Sequence, residues 1–398
     1  MQIKIIKERV KGKKFLRFIK LLIIPLIIIL LSMVFPEGLQ GSAAAQSLPG
    51  EEWTEIDTVT TNNLWDVTWG NGQYVAVGNN GTILTSSDGG TWSKQISGTS
   101  AHIYGVSWGN NQFVAVGYLS FDDALDHGHN WENYYGSTVL TSPDGVTWTR
   151  RNVHYGASTA SYYDNFKPFN TSNPLFCVIW GDNKFVAVGG PVLATEVMWG
   201  TIVSSADGIN WNEIDDLPHE LHFHSISDVV WNGRIYVAVT ESSNNIFTST
   251  DGVNWTSSNL DMSYSFLNSI AWNGNQFTAV GKSILTSPEG TNWTEHSSGV
   301  DGHLYDITWS GSQFVAVGSN GIIQSSSNGA SWSEHTSGTA SNLHGIAGNG
   351  SQFVVVGQSG TILISGGSVQ DPDDGLPDTD PGDDDYAGRQ PLLLAPWV

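Results

Sequence analysis

The chain has 398 residues and a formal net charge of −22 at pH 7, from 16 lysines and arginines against 38 aspartates and glutamates. A chain this acidic has no basic footprint with which to hold phosphate, which excludes nucleic acid as a partner. Its single cysteine, Cys177, excludes an internal disulfide.

Residues 1–45 carry eight of the 16 basic residues, followed by the apolar run 21–35 and by Ala43-Ala44-Ala45. A basic start, a short apolar stretch and a small-residue site describe a secretory signal peptide, so the mature protein is expected outside the cell or at its surface. The apolar run is short for a spanning helix, which needs about 20 residues. An uncleaved anchor is the alternative, and the only route to the membrane. Export without disulfides fits a bacterial route.

From residue 46 to 369 one phrase recurs. Its first half is two alternating strands around a Gly/Asn turn, read at 64–78, 103–117, 175–189, 226–240, 267–281, 304–318 and 343–357. Asn-Gly flanked by alternating apolar residues, as at Trp69-Gly70-Asn71-Gly72-Gln73, is a hairpin signal. A third strand follows, then a Ser/Thr-x-Asp-Gly turn and a fourth strand opening on Trp92, Trp148, Trp211, Trp255, Trp293 or Trp332. The seven units, spaced at a basal period near 40 residues, predict an all-β, seven-bladed propeller of four-stranded antiparallel blades. Asp accepts hydrogen bonds from the turn, Gly takes the positive φ and Trp plugs the space between sheets, so these residues build the fold.

The seventh unit stops at Gly367 without a fourth strand, and the missing piece stands at the start, where Trp53-Thr54-Glu55 matches Trp293-Thr294-Glu295. An N-terminal strand around Trp53 is therefore expected to close the last blade and remove the free edge. Residues 370–398 form an acidic Asp/Pro-rich tail, in which charge repulsion and proline predict a disordered linker. Within it, Asp371 to Asp378 resembles the calcium loops of thrombospondin type 3 repeats, without the EF-hand order.

The hairpins Ser86 to Trp92, Ser142 to Trp148, Ser205 to Trp211 and Ser249 to Trp255 resemble Asp-box or BNR repeats. That family includes sialidases, xyloglucanases, sortilin-type receptors and a photosystem II assembly factor. The resemblance implies a propeller and leaves the activity open, since the hairpin is shared by many functions. Sialidases grip the sugar carboxylate with three arginines. The chain beyond residue 45 has Arg150, Arg151, Arg234 and Arg389, and the first two are adjacent in one strand and face opposite sides, so a sialidase is not expected.

Four connections break the repeat: 118–136, 150–174, 190–200 and 213–225. Their type in each blade places all four on one face of the ring, over blades two to four. Long loops on a rigid scaffold are where binding resides. Phe121, Trp131, Tyr134, Tyr135, Tyr162, Tyr163 and Trp199 are the expected ligand-binding residues, because sugar faces stack on rings while nearby carboxylates accept hydroxyl hydrogens. The packing alternative is that these aromatics form a core private to the insertions.

The expected function is an exported binding module for polysaccharide or a cell-surface protein, acting as a monomer. The alternative is a glycoside hydrolase or polysaccharide lyase on the same face. Its catalytic candidates are Asp122, Asp126, Glu132, Asp164, His127 and Tyr162, since a glycosidase needs paired carboxyls and a lyase a His or Tyr base. His219, His222 and His224 have donor spacing suited to zinc or copper but match no recognised metal signature, and no cofactor is expected. At the inner rim, the second residue of each repeat varies as Trp65, Tyr104, Phe176, Ser227, Asn268, Tyr305 and His344, consistent with a ligand at the channel mouth or with relaxed packing there.

Overall fold

The computed structural model describes residues 52–119, 136–154, 173–190, 200–214, 217–221, 224–241, 245–260 and 266–366. They form seven sheets, one for each repeat, at residues 64–95, 102–151, 175–213, 226–259, 267–296, 304–335 and 343–365. In blades one to six the four repeat strands follow one another from the inner to the outer edge, each antiparallel to its neighbour. The inner hairpins close on tight turns. Asn71 and Gly72 adopt φ of 50° and 76°, a two-residue turn whose twist matches that of the flanking strands.

The last blade borrows its outer strand. Trp53–Glu55 pairs antiparallel with Ile362–Ser365, Trp53 opposite Ser365 and Glu55 opposite Leu363. Ile56 N–H extends the pairing to Ile362 O at 2.9 Å. The ring thus closes on strands from both ends of the domain, as the sequence repeats predict.

Blade three departs from the four-strand pattern. Val153–His154 adds a fifth strand, parallel to the outer strand Trp211–Glu213, with Val153 opposite Trp211. The chain leaving blade two therefore covers the outer edge of blade three before entering it.

Aromatic stacking explains the repeat spacing. In six blades the inner-strand tryptophan sits 4.3 to 4.6 Å from the aromatic residue that opens the second strand, as Trp69 does on Tyr74 and Trp231 on Tyr236. That ring in turn meets the outer tryptophan at 6.1 to 6.5 Å, and in blade seven Trp53 takes this place on Phe353. The inner position of blade seven is Gly348, where an added Cβ would stand 3.1 Å from the Phe353 ring.

The Asp-Gly turns brace the blades and also join them. Ser86 Oγ accepts Gly89 N–H, Asp88 Oδ1 accepts Gly90 and Thr91 N–H, and Trp92 Nε1 donates to Gly89 O. A side chain from the inner hairpin of the preceding blade then donates to the turn's acidic-position carbonyl: Gln73 to Asp144, Gln112 to Asp207, Lys184 to Asp251 and Gln276 to Asn328. Gln352 donates to Asp88 O at 2.7 Å and carries this latch across the closure from blade seven to blade one.

In blade three, hydrogen bonds from Asn210 and Ile209 N–H hold the Asp207 carboxyl well below the usual carboxylate range. A depressed folded-state value means stability that is present above the unfolded aspartate range and is lost as pH falls through the folded value. Asp207→Ala is expected to cost about 1 kcal/mol, the scale of a lost cap, in urea unfolding at pH 7. The difference from wild type should shrink at pH 2.

Candidate functional site

Each inner strand carries a bulge at the residue after its first leucine or isoleucine. In blade one Leu64 pairs with Gly78 and Asp66 with Val77, leaving Trp65 outside the register. The same shift occurs in the other six blades. A bulge bends the strand and re-aims a side chain. It also explains the glycine that ends most second strands: at Gly281 a Cβ would come within 1.7 Å of Phe266 O, the carbonyl just before the bulged strand.

The bulged residues meet around one mouth of the axial channel. Tyr305, His344, Trp65, Tyr104 and Phe176, from blades six, seven, one, two and three, form a continuous arc with centroid separations of 5.5, 4.4, 5.8 and 5.6 Å. All five are half-buried. Trp65 Nε1 donates to Asn79 Oδ1 at 2.6 Å, which holds its ring in place. Burial lowers the His344 imidazole to about 4, so it is neutral near pH 7. Ser227 and Asn268 complete the rim on blades four and five, donating to Leu267 O and Leu304 O of the next blade.

One residue deeper lies a layer that sequence reasoning missed: Asp66, Gly105, Cys177, Asp228, Ser269, Asp306 and Gly345 in blade order. The three carboxylates accept backbone N–H groups of the following blade, Asp66 from Val106, Asp228 from Ile270 and Asp306 from Ile346, each at 2.8 Å. Cys177 Sγ donates to Asp228 Oδ1, and Ser269 Oγ lies between Asp228 and Asp306. At Gly105 and Gly345 the blades approach too closely for a side chain, a Cβ standing 2.6 Å from Phe176 O and 2.8 Å from Asp66 Cα. The layer therefore seals every blade interface.

Burial is the main cause that raises all three carboxyls, and Asp306 reaches about 7 with help from the Asp228 charge. Burial and Asp228 likewise push the Cys177 thiol up, away from the thiolate a nucleophile requires. Ser269 and backbone donors occupy the oxygens of Asp228 and Asp306, so this pair is not an open glycosidase dyad.

Phe121, Asp122, Asp126, His127, Trp131, Glu132, Tyr134, Tyr135, Tyr162, Tyr163, Asp164, Trp199 and His222 lie outside the described residues. The strand ends that anchor their connections are described. Tyr118 and Ser137 pair with each other, and Gly189 and Thr201 do the same, at the end where the inner strands begin. His154 and Glu213 precede the inner strands of blades three and four, so the described strand ends that flank the four long connections lie at the end that carries the aromatic mouth. His219 is exposed on a short 3-10 turn and His224 is half-buried, and among the described residues no group of three His, Cys, Asp or Glu is placed to hold a metal. Arg150 and Arg151 lie on the outer strand of blade two and Arg234 in the inner hairpin turn of blade four, so the structure does not bring these three together.

A family model described as the DUF6242 beta propeller domain matches residues 205–348. Among solved structures, the chain is similar to YCF48 bound to D1 peptide, at 19% identity and TM-score 0.57, covering 80% of this chain and 99% of that one. It is also similar to virginiamycin B lyase from Staphylococcus aureus, at 12% identity and TM-score 0.59 over 79% and 98%. The WD40 propeller domain of Doa1 matches at 12% identity and TM-score 0.56 over 79% and 97%. These likenesses show the propeller fold. No curated protein matches the chain.

Proposed function

We propose that this chain is an exported, Asp-box-like propeller that binds polysaccharide, without catalysis, at the end of the ring carrying the aromatic mouth and the four long connections. The observation that supports this reading is the arc of five half-buried rings contributed by five consecutive blades at one end. Rings that only packed the fold would be covered, as Phe113 and Phe185 are. Half-open rings beside Ser227 and Asn268 offer faces for sugar C–H groups and polar atoms for hydroxyls. The acidic balance of the chain favours a neutral glycan over an anionic one.

Calorimetric titration of the purified ring against a panel of wall and plant polysaccharides tests this. Saturable binding is expected to weaken about fivefold for each ring removed in Trp65→Ala and Tyr104→Ala, the scale of about 1 kcal/mol per aromatic contact. Trp131→Ala with Tyr135→Ala tests the contribution of the long connections. Release of reducing ends or unsaturated products would instead support the hydrolase or lyase reading. Binding to a surface protein with silence across the panel would support the protein-binding one.

A further inference from the structure

Ser269 Oγ lies 2.8 Å from Asp228 Oδ2 and 2.7 Å from Asp306 Oδ1. A hydroxyl carries one hydrogen and can donate to only one of them. The other contact, at hydrogen-bond length between two oxygens inside the protein, needs a hydrogen from the carboxyl side. Asp228 is already surrounded by donors: Val229 N–H and the Cys177 thiol reach Oδ1, and Ile270 N–H reaches Oδ2. With Ser269 as a fourth donor its acceptor positions are filled, as befits a carboxylate. Asp306 receives Ile307 and Ile346 N–H and has room for a proton directed at Ser269.

We propose that Asp306 is a carboxylic acid in the folded ring at mildly acidic pH, donating its hydrogen to Ser269, which in turn donates to Asp228, a chain that holds blade five between blades four and six. The titratable groups beside this chain are Asp66 on blade one and Cys177 on blade three, with His344 and Tyr305 at the rim. Among the described residues no ion pair reaches Asp66, Asp228 or Asp306. Burial and the Asp228 charge raise the Asp306 carboxyl to about 7. Because the folded value is raised, the folded ring holds this proton more tightly than the unfolded chain. The latch's contribution to stability is complete below the unfolded aspartate range and is lost as pH rises through about 7. Ser227, Asn268 and Tyr305 immediately precede the three residues of the chain, so the rim of blades four to six is expected to loosen above neutral pH. That last consequence alone rests on the binding reading.

Infrared spectroscopy of the folded wild type, titrated from pH 5 to pH 9, tests the proton directly. A protonated-carboxyl C=O band that disappears with a midpoint near 7 is expected, absent in Asp306→Asn and retained in Asp66→Asn. In urea unfolding the folding constant of the wild type should fall by up to about a thousandfold between pH 4 and pH 8 relative to Asp306→Asn, from the difference between folded and unfolded values. A wild-type spectrum with no band titrating near 7 would overturn the proposal without recourse to any variant. So would stability profiles of wild type and Asp306→Asn that run parallel.

Discussion

A chain lacking residues 1–57 is expected to lose its single cooperative thermal transition and to aggregate, and to recover both properties when a peptide of residues 51–57 is added. The reason lies in the closure. Trp53–Glu55 covers the outer edge of Ile362–Ser365, and without it that strand presents unpaired backbone groups to solvent beside the apolar surface that Ile56 otherwise covers. Donor-strand addition in trans restores the missing ladder. The point variant Trp53→Ala should cost about 2 kcal/mol, below the range for a fully buried tryptophan, because Trp53 is only half-buried on Phe353. Differential scanning calorimetry with and without peptide checks this. A truncated chain melting in one transition at the wild-type temperature would contradict the closed ring.

Trp211→Ala is expected to cost about 4 kcal/mol, roughly twice the cost of Trp148→Ala or Trp332→Ala. All three tryptophans occupy the same place in their repeats and donate to the glycine carbonyl of their own turn, Trp211 to Gly208 O at 2.8 Å. They differ in cover. Trp211 is 0% exposed, with Val153 of the fifth strand opposite it and packed against its cluster, whereas Trp148 and Trp332 are half-buried on outer strands without such a neighbour. Removing an indole from an enclosed space leaves a cavity, while at an open edge water enters in its place. Equal costs in urea unfolding would mean that Val153–His154 does not seal blade three.

The ring was legible because its signals repeat. Trp69 and its five counterparts, the Asp-Gly turns and Trp53 all recur at fixed offsets, and a repeated offset identifies a blade even where one copy is degenerate, as at Glu289 and Asn328. The fifth strand of blade three was not legible, because Val153–His154 is a two-residue pairing without periodicity. The bulges were hidden too, since Leu64-Trp65-Asp66 reads as ordinary alternation until the partner strand shows the slip.

The carboxylate layer was not legible in the sequence. Asp66, Asp228 and Asp306 alternate with the small residues Gly105, Ser269 and Gly345 at the third position of the repeat. An aspartate in a strand normally reads as a solvated face, and only the backbone donors of the neighbouring blade show why it is inside. The rim residues from Trp65 to His344 read in the sequence only as variation within a regular repeat, and in the structure five of the seven are in ring contact.

Mass-spectrometric hydroxyl-radical footprinting of the ring, with and without the oligosaccharide that binds best in the panel, locates the occupied surface directly. The account predicts protection of Trp65, Tyr104 and Tyr305, with no change at the inner hairpin turns around Asn71, Asn110 and Gly233. Protection confined to those turns or to the outer strands, with the mouth unaltered, would contradict it.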